Sequence, residues 1–450
     1  MTRSVLPILL ACLIPLSGGC RAVRDARKTQ DPARIPPGER TPTAAEIGLA
    51  TDAPLTLEGA IAIAAKYHPS VIEARQNTSQ ADQQFKIARA RYLPSVETSA
   101  SYRRSTANAA VATETGRSAN SYSADVSGSQ LLYDFGKTPA AVRKAAADAR
   151  AAAEHLCAEE NNAAYRVRLA FFERLKFQAL LEAVASAETQ AEARLAQTRA
   201  LTEAGSRIAN DVIRAEVDLG NAKLARLDTR NALTSAIASL NQALGLAEAP
   251  AYPISDPPAE TMIPQMETLM AAARKHNPDL AALRARTDGA SAAVDASIAD
   301  LWPSLSLSGN YGLGGSRFPL VWNWALAGSA GMTLLDGSRR TNAISAAAME
   351  LRAARARYAA AEQAVYLDLS RAAAGLESAA EKSNVARTIV RQAEENARLT
   401  EERYTVGRAS SVERTDGASA LIKAKADEIQ ARFDYAAAIA GIRHITGETR

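Results

Sequence analysis

The feature that most constrains this chain is an internal repeat. Ala64-Ala65-Lys66-Tyr67-His68-Pro69 is answered by Ala273-Arg274-Lys275-His276-Asn277-Pro278, so that Pro278 lies 209 positions after Pro69. At the same offset Leu93-Pro94-Ser95 falls on Trp302-Pro303-Ser304, and Tyr102 falls on Tyr311. Further along the offset becomes 202: Asp134 answers Asp336, Gly205 answers Gly407 and Gly245 answers Gly447. The difference, 209 − 202 = 7, is a single deletion in the loop between the two strands of the second copy. Anchors held over such a distance mean two copies of one supersecondary unit. The copies are assigned to 53–250 and 262–450, with 251–261 as the linker between them.

Each copy reads in the same order. A helix runs up to Pro94 or Pro303, where the missing N–H and the ring clash end it. Two strands follow. In the first, Val96, Thr98, Ala100 and Tyr102 alternate with Ser95, Glu97, Ser99 and Ser101; in the third, Leu305, Leu307 and Tyr311 alternate with Ser304, Ser306 and Asn310. Period-two patterning with aromatic residues near the strand ends suits a membrane β-barrel, and a soluble sandwich with one wet face would pattern alike. Tyr92, Trp302, Trp322 and Trp324 are the candidate membrane-interface residues, with Tyr133 beside them. Then comes a very long helix, Thr138 to Ala204 in one copy and Arg340 to Val406 in the other. At 1.5 Å per residue each is about 100 Å long. Apolar positions at spacings of three and four (Tyr165, Leu169, Phe172, Leu175) predict coiled-coil packing.

These patterns exclude several arrangements. No segment after residue 20 approaches eighteen uninterrupted apolar residues, so any crossing of a bilayer is made by strands. Four strands cannot close a barrel, and lipid does not tolerate open sheet edges, so several chains must share one. Helices of this length must project into water. A shared barrel continued by a helical tube is a conduit.

The amino terminus adds an address. Arg3, the short apolar run Val5–Leu16 and Ser17-Gly18-Gly19-Cys20 read as an export signal over 1–19, with Cys20 as the expected lipidation site. Residues 20–52, rich in Arg, Asp, Pro and Thr without periodicity, read as a lipid-anchored linker. Of the three cysteines this leaves only Cys157 in the folded body, so no disulfide framework is expected.

Taken together, the paired helix starts at His68-Pro69 and Asn277-Pro278, the strand starts at Pro94-Ser95 and Pro303-Ser304, the strand ends Leu132-Tyr133-Asp134-Phe135-Gly136 and Leu335-Asp336-Gly337, and the helix tips at Gly205 and Gly407 resemble the TolC-like family of outer membrane efflux proteins. The lipoprotein start resembles the branch that serves proton-driven drug and metal pumps. The resemblance implies a mainly α fold with a small membrane β part: four strands and long coiled-coil helices per chain, forming a trimeric β-barrel and an α-helical tunnel. It implies a homotrimer in outer-membrane lipid, with a periplasmic adaptor and an inner-membrane pump as partners. It also implies an acidic constriction just after the second tip, which falls here on Glu413 and Asp416, with Asp211 as the counterpart of Glu413 in the first copy. Without the family, these carboxylates would read as an ordinary solvated helix face.

Other chemistry finds no support. The four His residues are scattered, without metal-ligand spacing. No phosphate-binding glycine loop and no nucleophile elbow occurs, and the near-balanced charge of +4 gives no basic footprint for nucleic acid. The expectation is therefore a passive duct rather than an enzyme, with no cofactor and no metal. The outer channel of a type I protein secretion system, or a lipid-anchored coiled-coil adaptor without a pore, are the alternatives.

Overall fold

A computed structural model describes residues 54–106, 118–205, 208–248, 250–258 and 265–448, with scattered positions between 22 and 49. Cys20 lies outside the described residues. The elements run α1 (Leu57–Tyr67), α2 (Pro69–Ala90), β1 (Ser95–Thr106), β2 (Ser118–Tyr133), α3 (Lys137–Glu203), α4 (Ala209–Ala243), then α5 (Met266–His276), α6 (Pro278–Ala299), β3 (Ser304–Gly315), β4 (Val321–Gly331), α7 (Arg339–Thr405) and α8 (Ser411–Thr446). The second half repeats the first element by element. The long helices α3 and α7 have 67 residues each.

The repeat anchors have matching local jobs. His68 and Asn277 end one helix and cap the next. His68 Nδ1 accepts from Ser70 N at 3.2 Å, Asn277 Oδ1 accepts from Leu280 N at 3.0 Å, and a proline follows each in the first turn. Gly245 and Gly447, with φ of 78° and 79°, finish α4 and α8 hard against these junctions. A Cβ on Gly447 would lie 2.3 Å from the His276 carbonyl oxygen, and one on Gly245 would lie 2.8 Å from that of Tyr67. Asp134 and Asp336 turn strand into helix: Asp134 accepts from Thr138 N at 2.7 Å, and Asp336 accepts from Arg340 Nε at 2.9 Å.

The four strands form one antiparallel sheet in the order β1-β2-β3-β4. Its register sorts the side chains by face. Ser99, Asp125, Gly312 and Asn323 lie across from one another on one face; Tyr102, Tyr122, Leu313 and Trp322 belong to the other. The polar face carries hydroxyl rungs, Ser95–Ser129, Ser101–Ser123 and Ser306–Ser329, at 2.7 to 2.9 Å. The apolar face exposes Val96, Val126, Leu305, Leu307 and Leu326.

Packing gives the helices an order. α3 is central and packs against α2, α4, α6 and α8, while α7 packs against α6 and α8. Toward the sheet the sequence across the layer is α2-α3-α6-α7; toward the far end it is α4-α3-α8-α7. The main core lies at mid-height, where Ala60, Ala64, Val167, Phe171, Phe172, Leu240, Leu244 and Phe433 are buried together. The linker is tied into it: Leu55 N donates to Pro253 O at 2.9 Å, and Arg174 donates to the Tyr252 carbonyl. Part of the segment read as a linker from the lipid is also docked, since Ala44 is buried and Leu49 packs on this core. Two small apolar positions in a polar stretch gave no periodic signal of this.

Candidate functional site

At the end of the helices farthest from the sheet, each long helix reverses through a glycine. Gly407 has φ of 72°; its N–H donates to Tyr404 O at 3.1 Å, and Arg408 N donates to Arg403 O at 2.8 Å. This is a Schellman turn, which satisfies the last carbonyls of α7. Gly205, with φ of 74°, ends α3, and its N–H donates to Thr202 O at 3.0 Å. Nothing stands within 4 Å of a Cβ added at either tip glycine, so the requirement is the backbone conformation and not space.

Beyond Gly407, Ser410 and Glu413 form a reciprocal cap. Glu413 N donates to Ser410 Oγ at 3.2 Å, and Ser410 N donates to Glu413 Oε1 at 3.4 Å. Glu413 also faces Arg403 at 3.6 Å. Asp416 follows one turn on, exposed, with no hydrogen-bond or ion-pair partner among the described residues. Asp211 stands in the first turn of α4 as Glu413 does in that of α8, which agrees with the repeat alignment. Its environment differs, because its carboxylate accepts from Ser411 Oγ at 2.8 Å.

That contact belongs to a seam between the repeats which the sequence reading did not foresee. Thr415 Oγ1 donates to Asp218 at 2.9 Å. Arg414 is turned inward, with only 8% of its side chain exposed. Its Nε donates to Glu401 at 2.6 Å, its Nη2 donates to Gln197 at 2.9 Å, and its guanidinium sits 4.5 Å over the Tyr404 ring. Arg194 completes the cluster; burial, and then the charge of Arg414, hold its pKa below the usual guanidinium value. Arg194, Arg214 and Arg414 thus line a space of about 30 Å³ together with Asp211 and Asp218, and Glu401 pairs with Arg414 at its side. Of the arginines around the tip, Arg403, Arg408 and Arg414, it is Arg403 that reaches Glu413. Arg408 accepts from Arg403 through its carbonyl, and Arg414 serves the seam. A polar residue at a heptad core position was the available signal, and in an alanine-rich helix it is weak.

The aromatic residues of the sheet form two rims. Tyr92, Tyr133, Phe135 and Trp302 gather at the helix end, with Phe135 stacked on Trp302 at 5.7 Å between centroids. Trp322 and Trp324 lie at the loop end with Tyr102, Tyr122 and Phe318. All four residues expected at the interface are exposed. Among the described residues no helix is long and apolar enough to cross a membrane, and no His/Cys/Asp/Glu group could hold a metal ion.

The comparisons agree with this architecture. The family model for outer membrane efflux proteins matches residues 60–246 and 269–448, which are the two repeats. No curated protein matches the chain. Among solved structures, a membrane protein from Pseudomonas aeruginosa is similar with a TM-score of 0.79 at 19% identity, over 87% of this chain and 93% of that one. The Campylobacter jejuni CmeC outer membrane channel gives 0.77 at 17% identity, covering 87% and 85%. The open state of the Neisseria gonorrhoeae MtrE outer membrane channel gives 0.76 at 20%, covering 87% and 88%. This chain belongs to the outer membrane efflux protein family, whose members are channels of the outer membrane and not enzymes. Its fold is TolC-like: one chain's share of a β-barrel and of a helical tunnel.

Proposed function

We propose that the protein is one subunit of a homotrimeric outer-membrane duct, which passively conducts substrates delivered by a periplasmic adaptor and an inner-membrane pump to the exterior. The four-stranded sheet carries this reading. Its outer edges, β1 and β4, have no strand partner among the described residues, and one face is apolar. In lipid an unpaired edge costs several kcal/mol for each unsatisfied backbone group. The edge of β4 must therefore meet β1 of another copy. Three copies of four strands make a twelve-stranded barrel, a size within the known range of closed membrane barrels.

The helices support the same assembly. α4 exposes Ile213, Val217, Leu224 and Leu227 at spacings of four, seven and three, and the opposite edge, α7, exposes Val385, Ile389 and Leu399. An apolar seam at such spacing is a coiled-coil face without its partner. Two different edges meeting around a ring is a heterologous contact that closes. In this assembly Cys20 carries the lipid anchor, the two aromatic rims sit at the membrane interfaces, and the tip turns at Gly205 and Gly407 face the adaptor. Glu413, Asp416 and Asp211 of three subunits form an acidic constriction at the tip, and the Arg414 seam holds the second-repeat hairpin against the first.

Electron microscopy of the mature protein in detergent tests this reading. A threefold cylinder with a helical stem about 100 Å long is the expected result. A monomeric rod would overturn it in favour of an adaptor without a pore.

A further inference from the structure

A cleft at mid-height, where α1 and α3 of the first repeat meet α7 and α8 of the second, has no role in the duct described above. It encloses about 310 Å³, at the small end of the range of about 300–1,000 Å³ for ligand sites. Its floor is apolar, made by Phe172, Phe433 and Ile439, all buried. Its walls are cationic: Arg168, Arg387, Arg432 and Arg443 line it, against only Glu58 and Asp256. Asp256 is already engaged by Arg432. Arg387 is exposed and has no hydrogen-bond or ion-pair partner among the described residues.

The repeat provides an internal control for whether the fold itself demands these residues. At the 202 offset, Arg168 corresponds to Ser370, Phe172 to Ala374, Arg387 to Ala185, Arg443 to Asn241 and Phe433 to Asn231. Only Arg432 keeps its type, as Arg230. The same helices can thus be built without three of the four guanidiniums and without either phenyl ring. The cleft is a feature of one side of the molecule, not a by-product of the repeated unit.

An apolar floor beneath an excess of guanidinium groups is complementary to a molecule with an anionic head and a short apolar body. We propose that this cleft binds a small amphiphilic anion, its carboxylate or sulfate held by Arg387 and its neighbours and its hydrocarbon against Phe172, Phe433 and Ile439. A ligand seated there touches both repeats at once. It would therefore hold α7 and α8 against α1 and α3 at the height of the core.

Isothermal titration of the full-length protein in an uncharged detergent tests this, with sodium decanoate below its micellar concentration as the probe. The expected result is saturable binding of one decanoate per chain, with decanol and acetate each binding at least about tenfold more weakly. A charge-assisted hydrogen bond contributes about that factor or more. Arg387→Ala is expected to weaken decanoate about tenfold, and Arg391→Ala, one turn along the same exposed face, to leave it unchanged. Equal binding of decanol and decanoate, or equal effects of the two substitutions, would overturn the proposal. So would absence of saturable decanoate binding by the assembled parent protein.

Discussion

Ser411, in the first turn of α8, donates its hydroxyl to the carboxylate of Asp211, in the first turn of α4, at 2.8 Å. The two return helices begin side by side, and their opening turns are joined across the repeat boundary. Thr415, one turn on, makes the same kind of bond to Asp218. Each contributes on the order of 1 kcal/mol, too little to decide the fold but enough to bias how the two tips are held together. Ser411→Ala combined with Thr415→Val is expected to leave the melting temperature within a few degrees of the parent. In planar bilayers it is expected to raise the mean single-channel conductance. An unchanged conductance would show that these bonds do not restrain the tip.

Arg414 supports the same seam differently, because its planar fork reaches Glu401 and Gln197 together while lying over Tyr404. A lysine keeps the charge but is a point donor and cannot reproduce both contacts. Arg414→Lys is therefore expected to behave like Arg414→Ala. Backbone hydrogen exchange at residues 400–418 and 211–218 would speed up about tenfold or more in both variants, and exchange around Phe171 and Leu240 in the core would not change. Rescue by lysine would mean that charge alone matters there.

In the proposed constriction Glu413 and Asp416 are held differently. The Glu413 carboxylate is held in the cap of α8 and near Arg403, whereas Asp416 is exposed. Where the tips converge in the proposed duct, the exposed Asp416 contributes more to the local negative potential than Glu413, whose carboxylate faces Arg403. Asp416→Asn is thus expected to reduce cation preference, read as a reversal potential in a salt gradient, more than Glu413→Gln. Glu413→Gln is expected to cost tip stability instead, because it replaces an acid in the first turn of α8 by a neutral side chain. Equal reversal potentials for the two variants would remove this distinction.

How much of this was legible in the sequence follows from which forces act locally. Proline, glycine and strict period two report backbone geometry directly. Pro94, Pro303, Gly205 and Gly407 therefore marked real element ends, and the long helices came out with the same length one residue earlier. The apolar and polar faces of the strands were readable for the same reason. The seam was not, because Arg414, Asp211 and Asp218 are polar residues on alanine-rich helices, and only the angle at which two helices cross decides whether such a residue faces water or a neighbour. The docking of Ala44 and Leu49 was hidden likewise, since one alanine and one leucine carry no period.

The glycines separate backbone conformation from crowding. Gly407 and Gly447 have nearly the same φ, 72° and 79°, and both end a helix. Alanine in the left-handed region costs about 1–2 kcal/mol at either site. At Gly447 the added Cβ would also meet the His276 carbonyl at 2.3 Å, while at Gly407 it meets nothing. Gly447→Ala is expected to lower thermal stability distinctly more than Gly407→Ala, measured on the full chain in detergent. Equal losses would show that the α8–α5 junction yields to the extra carbon.

The last relationship concerns pH. His444 lies in the final turn of α8, stacked on Tyr165 at 4.5 Å, with Nε2 2.7 Å from Asn162 Oδ1. Burial lowers its pKa, Asp279 opposes that shift, and Arg166 and Arg168 reinforce it. His68 is lowered too, by burial and then by Arg166. A histidine whose folded pKa lies below its unfolded value of about 6.5 binds fewer protons in the folded state. Stability then increases with pH across the window between the two values and is fully present above the upper one. Acidification from pH 7.5 toward pH 5 is therefore expected to lower the melting temperature, before most carboxylates begin to titrate. Gln242 occupies the corresponding place in the first repeat, so His444→Gln is a substitution this fold already accommodates. It is expected to flatten the melting curve against pH over that window and to leave the value at pH 8 nearly unchanged. A slope equal to that of the parent would assign the acid sensitivity to His68 or to the carboxylates instead.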